Sequence, residues 1–192
     1  SVALRERVAS INAACAHFGR ADVPAGEKVP EVRLAQGLPE PAESWAVAAF
    51  ERAGFMRVGN LAYLKKPIRD AALAGTGVPR AIEWPEGIRV RSCAELGSDL
   101  RTDAALLVAL DSSYLDTLDC PELCGLRETK DVLASHRATG VWDPALWWLV
   151  FEESHGAGEV PRGCMLLNRC PEQRAVELVY IGLAPTVRGR GV

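Results

Sequence analysis

The segment AVELVYIGLAPTVRGRGV, residues 175–192, constrains this chain more than any other stretch. Val176, Leu178, Tyr180 and Leu183 read as the apolar members of one strand. Pro185 ends it, because proline brings no N–H to a ladder, and Arg188-Gly189-Arg190-Gly191 follows. A strand that runs into alternating arginine and glycine suits a phosphate group. Glycine admits backbone conformations that bring N–H groups onto an anion, and arginine adds charge. The sequence stops where a helix is expected to begin, so the motif is expected to be cut off there.

The 192 residues are enough for one large domain or two small ones, and 48% hydrophobic with 24% charged residues is ordinary for a globular protein. The net charge of −3 gives no bulk basic signal for nucleic acid. The charge is uneven: residues 1–68 carry a net +2 and residues 86–192 a net −5, most of the excess lying between Asp111 and Asp131. Such a stretch reads as a solvated helix face or as an attraction for a cationic substrate. No apolar run has the length of a membrane span, and Ser1-Val2-Ala3-Leu4-Arg5 does not read as a signal peptide. The six cysteines, without a dense framework, are therefore expected to be reduced thiols of a cytoplasmic protein. Cys120-x3-Cys124 and Cys164-x5-Cys170 do not have zinc-knuckle spacing, and no metal is expected.

Along the chain, Val8, Ile11, Cys15 and Phe18 predict a helix stopped by Gly19. Residues 32–38 predict a short strand, residues 43–53 a helix closed by Gly54, and residues 56–64 a second strand. Residues 67–86, with Pro67, Gly75, Gly77, Pro79 and Pro85, predict a linker. Then come a strand at residues 88–91, a helix over 100–115 on the spacing Leu100, Ala104, Leu107 and Tyr114, and a helix over 128–137. A strand over 146–151, a hairpin turn at 156–158, and strands at 164–167 and 176–183 complete the order. Trp147 and Trp148 point to opposite faces of their strand, so at least one is core. Strand, two helices, then an antiparallel meander is an α+β (mixed α/β) layout, with a mostly antiparallel sheet flanked by helices.

This order, closing on Glu177-Leu178-Val179-Tyr180-Ile181-Gly182-Leu183-Ala184-Pro185 and then Arg188-Gly189-Arg190-Gly191, resembles the GCN5-related N-acetyltransferase (GNAT) superfamily. Arg188 and Gly191 match the first two fixed positions of its Gln/Arg-x-x-Gly-x-Gly/Ala signature; the third would follow Val192. Residues 49–59, with Gly54-Phe55, look like the closing helix and strand of such a domain. Residues 1–66 thus resemble the C-terminal half of a GNAT domain and residues 87–192 the N-terminal half of one, with 67–86 as linker. Two arrangements fit: a piece of a tandem-GNAT protein, or one circularly permuted domain whose termini meet at the loop. A half sheet leaves a bare edge, so complementation between half-domains, within a chain or in a homodimer, is expected.

The resemblance implies an acetyl-CoA-dependent N-acetyltransferase acting directly on a primary amine, carried by a small molecule or a peptide. Coenzyme A would be held by the backbone of Gly189, Arg190, Gly191 and Val192 beside Arg188, its arm adding along Ile181, Gly182 and Leu183 as a β-strand does. Gly182 suits a bulge that opens the sheet. Glu177 stands where several members of the family carry the general base, and burial among Val176, Leu178 and Val179 would tune it. Tyr63, Tyr114 and Tyr180 are the tyrosines left as general acids, and Asp116, Asp119 and Glu122 lie where the amine would enter. The alternative is a non-catalytic GNAT-like module that binds acyl-CoA or serves as a regulatory scaffold.

Overall fold

The computed structural model describes residues 2–19, 35–40, 42–60, 62, 64–67, 82–97, 100–119, 121, 124–154 and 158–192. The chain divides into two compact units, Ser1–Leu61 and Ala62–Val192.

The first unit holds α1 (Val2–Gly19) and α2 (Ser44–Arg52). α2 buries Ala46 and Ala49, and Phe50 meets Phe55 edge-on at 5.0 Å. Gly54, at φ 90°, turns the chain after the helix as expected. Neither of the two strands expected in this region is formed by the described residues. Residues 35–38 and 55–60 have no regular structure, while residues 32–34, Leu61 and Tyr63 lie outside the described residues. Met56 and Val58 are exposed. Their β propensity expresses itself only where a neighbouring strand gives the side chains something to pack on.

The second unit is α+β. Its sheet has four strands in the order β1 (Ile88–Ser92), β2 (Trp147–Ser154), β3 (Gly158–Cys170) and β4 (Ala175–Leu183), every pair antiparallel. Between β1 and β2 the chain makes α3 (Cys93–Leu96), α4 (Leu100–Tyr114) and α5 (Thr129–Ala138). α3 is set by a capping box: Glu95 N–H donates to Ser92 Oγ, and Ser92 N–H donates to the Glu95 carboxylate. The Ser92-x-x-Glu95 spacing is the sequence signal for this short helix.

The helices cover one face of the sheet. Trp147, Leu149 and Phe151 of β2 and Cys164 and Leu166 of β3 pack there against Leu106, Ala109 and Leu110 of α4 and Leu133 of α5. Trp147 is the core tryptophan; Trp148 is half-buried. The buried stripe of α4 is Thr102, Leu106, Ala109, Leu110 and Ser113, one step round from the expected one, and Leu100 and Ala104 face outward. Asn168 is fully buried beneath these helices. Its Oδ1 accepts from Trp147 Nε1 at 2.8 Å, and its Nδ2 donates to the carbonyls of His136 at 2.6 Å and Thr139 at 2.5 Å. A smaller cluster of Ile88, Val150, Ala184 and Val187 lies on the opposite face.

Two irregularities shape the sheet. Leu166 pairs with Tyr180 and Leu167 with Leu178, so Val179 is an extra residue in β4. Val150 pairs with Gly163 and Phe151 with Pro161, so Arg162 is an extra residue in β3. Among the described residues no helix is long and apolar enough to cross a membrane.

Candidate functional site

The end of β4 is built from the bulge outward. Because Val179 is extra, the apolar residues of β4 do not share one face. Tyr180 joins the helix side, opposite Leu166, whereas Val176, Leu178, Ile181 and Leu183 line the other. The expected single stripe through Tyr180 is thus split. Tyr180 rests against Tyr114 (5.5 Å, edge-on) and His136 (5.6 Å, stacked), and its hydroxyl lies 2.7 Å from Ser113 Oγ. Ser113 Oγ already donates to the Leu110 carbonyl, so the tyrosine is the donor of the pair. Burial pushes the Tyr180 and Tyr114 hydroxyls above their ordinary range and pulls His136 below its own. These tyrosines are packing groups; Tyr63 lies outside the described residues.

Gly182 is not the bulge. A Cβ there would come within 2.4 Å of the Tyr180 hydroxyl and 3.0 Å of Ser113 Cβ. The glycine makes room for the Tyr180–Ser113 hydrogen bond.

β4 is an edge strand. Ala184 N–H donates inward to the Arg162 carbonyl at 2.6 Å. Alternation along the strand then turns Gly182 toward β3 and the backbone groups of Ile181 and Leu183 toward the open edge. Of the three residues expected to align a ligand arm, Ile181 has both backbone groups available and Leu183 its N–H alone. The Leu183 carbonyl is taken by Arg188 Nε at 2.8 Å.

The loop after β4 is pinned at both ends. Val187 is fully buried against Ile88 and Val150, and Val192 packs against the same cluster. Between them Gly189 (φ 72°) and Gly191 (φ 85°) adopt the left-handed conformation, with open space where a Cβ would stand. Glycine is needed here for the backbone, not for room. Left-handed backbone at every other residue is the alternation from which anion-binding nests are made. Among the described residues the N–H groups of Gly189, Arg190, Gly191 and Val192 have no protein acceptor.

The arginine side chains are placed differently from the expectation. Arg188 spends its guanidinium on the protein. It donates to the carbonyls of Ser113 (3.0 Å), Leu115 (2.8 Å) and Asp116 (3.0 Å), where α4 ends, as well as to Leu183. These are carbonyls with no partner within the helix, and one planar fork gathers them. Asp116, at φ 49°, turns the chain away. Arg188 is thus a clamp between α4 and the loop. Arg188→Ala is expected to speed exchange of the hydrogen-bonded amides that flank the clamp, Thr117 (to the Tyr114 carbonyl) and Val187 (to the Ala184 carbonyl), by about tenfold or more, about 1.4 kcal/mol of local opening. Arg188→Lys does not restore it, since an ammonium cannot span the four carbonyls. Unchanged exchange would mean the clamp carries no load. Arg190 reaches across to Glu152 (2.8 Å) and the Glu86 carbonyl (3.0 Å).

Glu177 lies on β4 opposite Asn168, on the helix side of the strand and four positions before Ile181. It is exposed, which corrects the expected burial, and its neighbours Val176 and Leu178 are exposed on the other face. Among the described residues no further strand lies against β4 to enclose it. The Cys170 thiol lies 3.7 Å from Glu177 Oε2. Burial and the Glu177 carboxylate hold that thiol above its ordinary pKa. Asp116 and Asp119 are exposed beyond α4; Glu122 lies outside the described residues.

The remaining cysteines are free thiols among the described residues. Burial pushes Cys93 up to about 11 and Cys164 up to about 12, so neither is a nucleophile at neutral pH. No group of three or more His, Cys, Asp or Glu among the described residues could hold a metal ion. A cavity of about 560 Å³ opens on the helix side, lined by Cys93, Leu106, Trp142 and the Asp103–Arg137 ion pair. It contains none of the expected site residues.

No protein-family model matches the chain, and no curated protein matches it.

Proposed function

We propose that this chain binds an acyl-coenzyme A thioester along the open edge of β4, holds its diphosphate on the Gly189–Val192 backbone, and transfers an acetyl group to a primary amine. The observation that carries this reading is one of contiguity. A strand edge with no partner among the described residues, offering outward the N–H and carbonyl of Ile181 and the N–H of Leu183, runs directly into a loop of four N–H groups without an acceptor among those residues and with left-handed glycines. A ligand that fits both is an extended, amide-bearing arm ending in an anion; the arm adds as a strand and the anion takes the loop.

In the transfer itself, an uncharged amine attacks the thioester carbonyl, the oxygen takes up negative charge, and the thiolate leaves with a proton. An outward N–H of β4 stabilises the oxyanion. An alkylammonium, at a pKa near ~10.4, is almost wholly protonated at neutral pH, so a base must take its proton. Glu177 is that base, acting through water because it is exposed. The same exposure favours the second reading, a module that binds acyl-CoA without turnover. Calorimetry with acetyl-CoA on the full chain tests the shared part. Saturable binding, competed by coenzyme A but not by pantetheine alone, is the expected result. Absence of binding removes both readings.

A further inference from the structure

Arg190 is not the only cation beside the loop. Glu152 is shared by two arginines: its Oε1 accepts from Arg190 Nη1 at 2.8 Å and its Oε2 from Arg162 Nε at 3.1 Å. Two guanidiniums on one carboxylate leave a local charge of +1. The donor count points the same way. Arg162 uses one of its five N–H donors and Arg190 two, the second on the Glu86 carbonyl, so most of their donors have no acceptor among the described residues. All three side chains are between a fifth and two fifths exposed, which leaves them reachable and only partly screened.

The position of Arg162 is a product of the fold. It is the extra residue of the β3 bulge, and bulges re-aim a side chain that regular pairing would send elsewhere. The bulge is tied to the loop: the Arg162 carbonyl accepts the N–H of Ala184, the residue that follows β4. Arg162 and Arg190 therefore come from opposite ends of the β3–β4 hairpin and meet over Glu152, whose strand partner Ile88 belongs to the cluster that anchors the loop.

We propose that Arg162 and Arg190 form a second anion subsite, which takes a phosphate monoester carried by the same ligand whose diphosphate sits on the Gly189–Val192 backbone. This rests on the acyl-CoA reading above, and it assigns the ribose phosphate of coenzyme A to a place on the sheet. A dianion bridges the unused N–H groups of both guanidiniums and turns the shared carboxylate into one corner of a two-arginine, two-anion square. Charge-assisted bonds of this kind are the strong ones, and arginine is suited to phosphate because it presents paired donors in a plane. Glu152 sets the selectivity: it repels a singly charged or weakly held anion and yields only to one that engages both arginines.

The test is calorimetry of the full chain with coenzyme A and with 3′-dephospho-coenzyme A at one ionic strength. The expected result is about tenfold tighter binding of coenzyme A. Arg162→Gln should remove that preference and leave the affinity for the dephospho form within about twofold. Glu152→Gln should widen the preference, and it serves as the check should Arg162→Gln disturb the bulge. Equal affinity of the parent chain for both nucleotides would overturn the subsite while leaving the acyl-CoA reading standing. An Arg162→Gln protein that weakens both nucleotides alike would also overturn it. Binding of neither nucleotide would take the reading and the subsite down together.

Discussion

Asn168→Ala is expected to cost the second unit about 3–5 kcal/mol, a large share of the stability of an ordinary domain. The side chain is fully buried and uses one acceptor and both donors. Removing it leaves Trp147 Nε1 without an acceptor and the His136 and Thr139 carbonyls without those donors. Each orphaned buried group costs about 1–3 kcal/mol, and the empty volume adds a cavity term. Asn168→Leu would fill the volume but not the hydrogen bonds, so it should recover little. Asn168→Asp keeps an acceptor for the indole yet turns a carboxylate toward two carbonyls, and it should be as damaging as alanine. Urea unfolding followed by near-ultraviolet circular dichroism reads the effect as a drop in midpoint at constant slope. A loss below about 1 kcal/mol for all three variants would show that Asn168 does not hold the C-terminal end of α5 to the sheet.

Glu177→Gln is expected to bind acetyl-CoA within about twofold of the parent chain and to transfer acetyl groups about 10²–10⁴ times more slowly. The amide keeps the size and hydrogen-bonding reach of the carboxylate and loses its basicity. The exposure of Glu177 makes the substitution a clean one, since no core packing changes with it. The loss should shrink as pH rises and the free amine fraction grows, because an amine already deprotonated needs no base. Initial rates across pH 6–10, with an amine acceptor found by screening, would show this convergence. Equal turnover by Glu177→Gln and the parent at neutral pH would remove Glu177 from the mechanism, and binding without turnover in both would leave the non-catalytic module.

Much of the second unit is legible in its sequence. The helices at 100–114 and 129–138 and the three strands of the meander follow from apolar runs separated by Gly, Pro and Asp turns. The face of α4 was not, because Ala105, Leu106, Leu107, Val108, Ala109 and Leu110 form a continuous apolar run that offers several stripes. Which one is buried depends on the sheet beneath. The bulge at Val179 left a trace, the three-residue step from Leu178 to Ile181 where alternation demands two. The left-handed glycines of the loop could be expected from its composition, but the fate of Arg188 could not. Three of its four partners are carbonyls at the end of a helix more than seventy positions earlier in the chain, and no side-chain pattern announces a carbonyl. The described residues of the two strands expected in the first unit stay irregular for a related reason: a short apolar run has no intrinsic β structure until another strand is beside it.

The bulge has a consequence for what can grow on this sheet. An outer strand that pairs in phase with residues 175–178 of β4 is one residue out of phase with residues 180–183. A long strand from another molecule therefore cannot zip along the whole edge, and a stacking fibril cannot use it as a template. A short extended guest, needing only the four-residue stretch nearest the loop, meets no such mismatch. The one inserted residue thus acts as a length filter, closing an exposed edge to polymers while leaving it open to a small ligand.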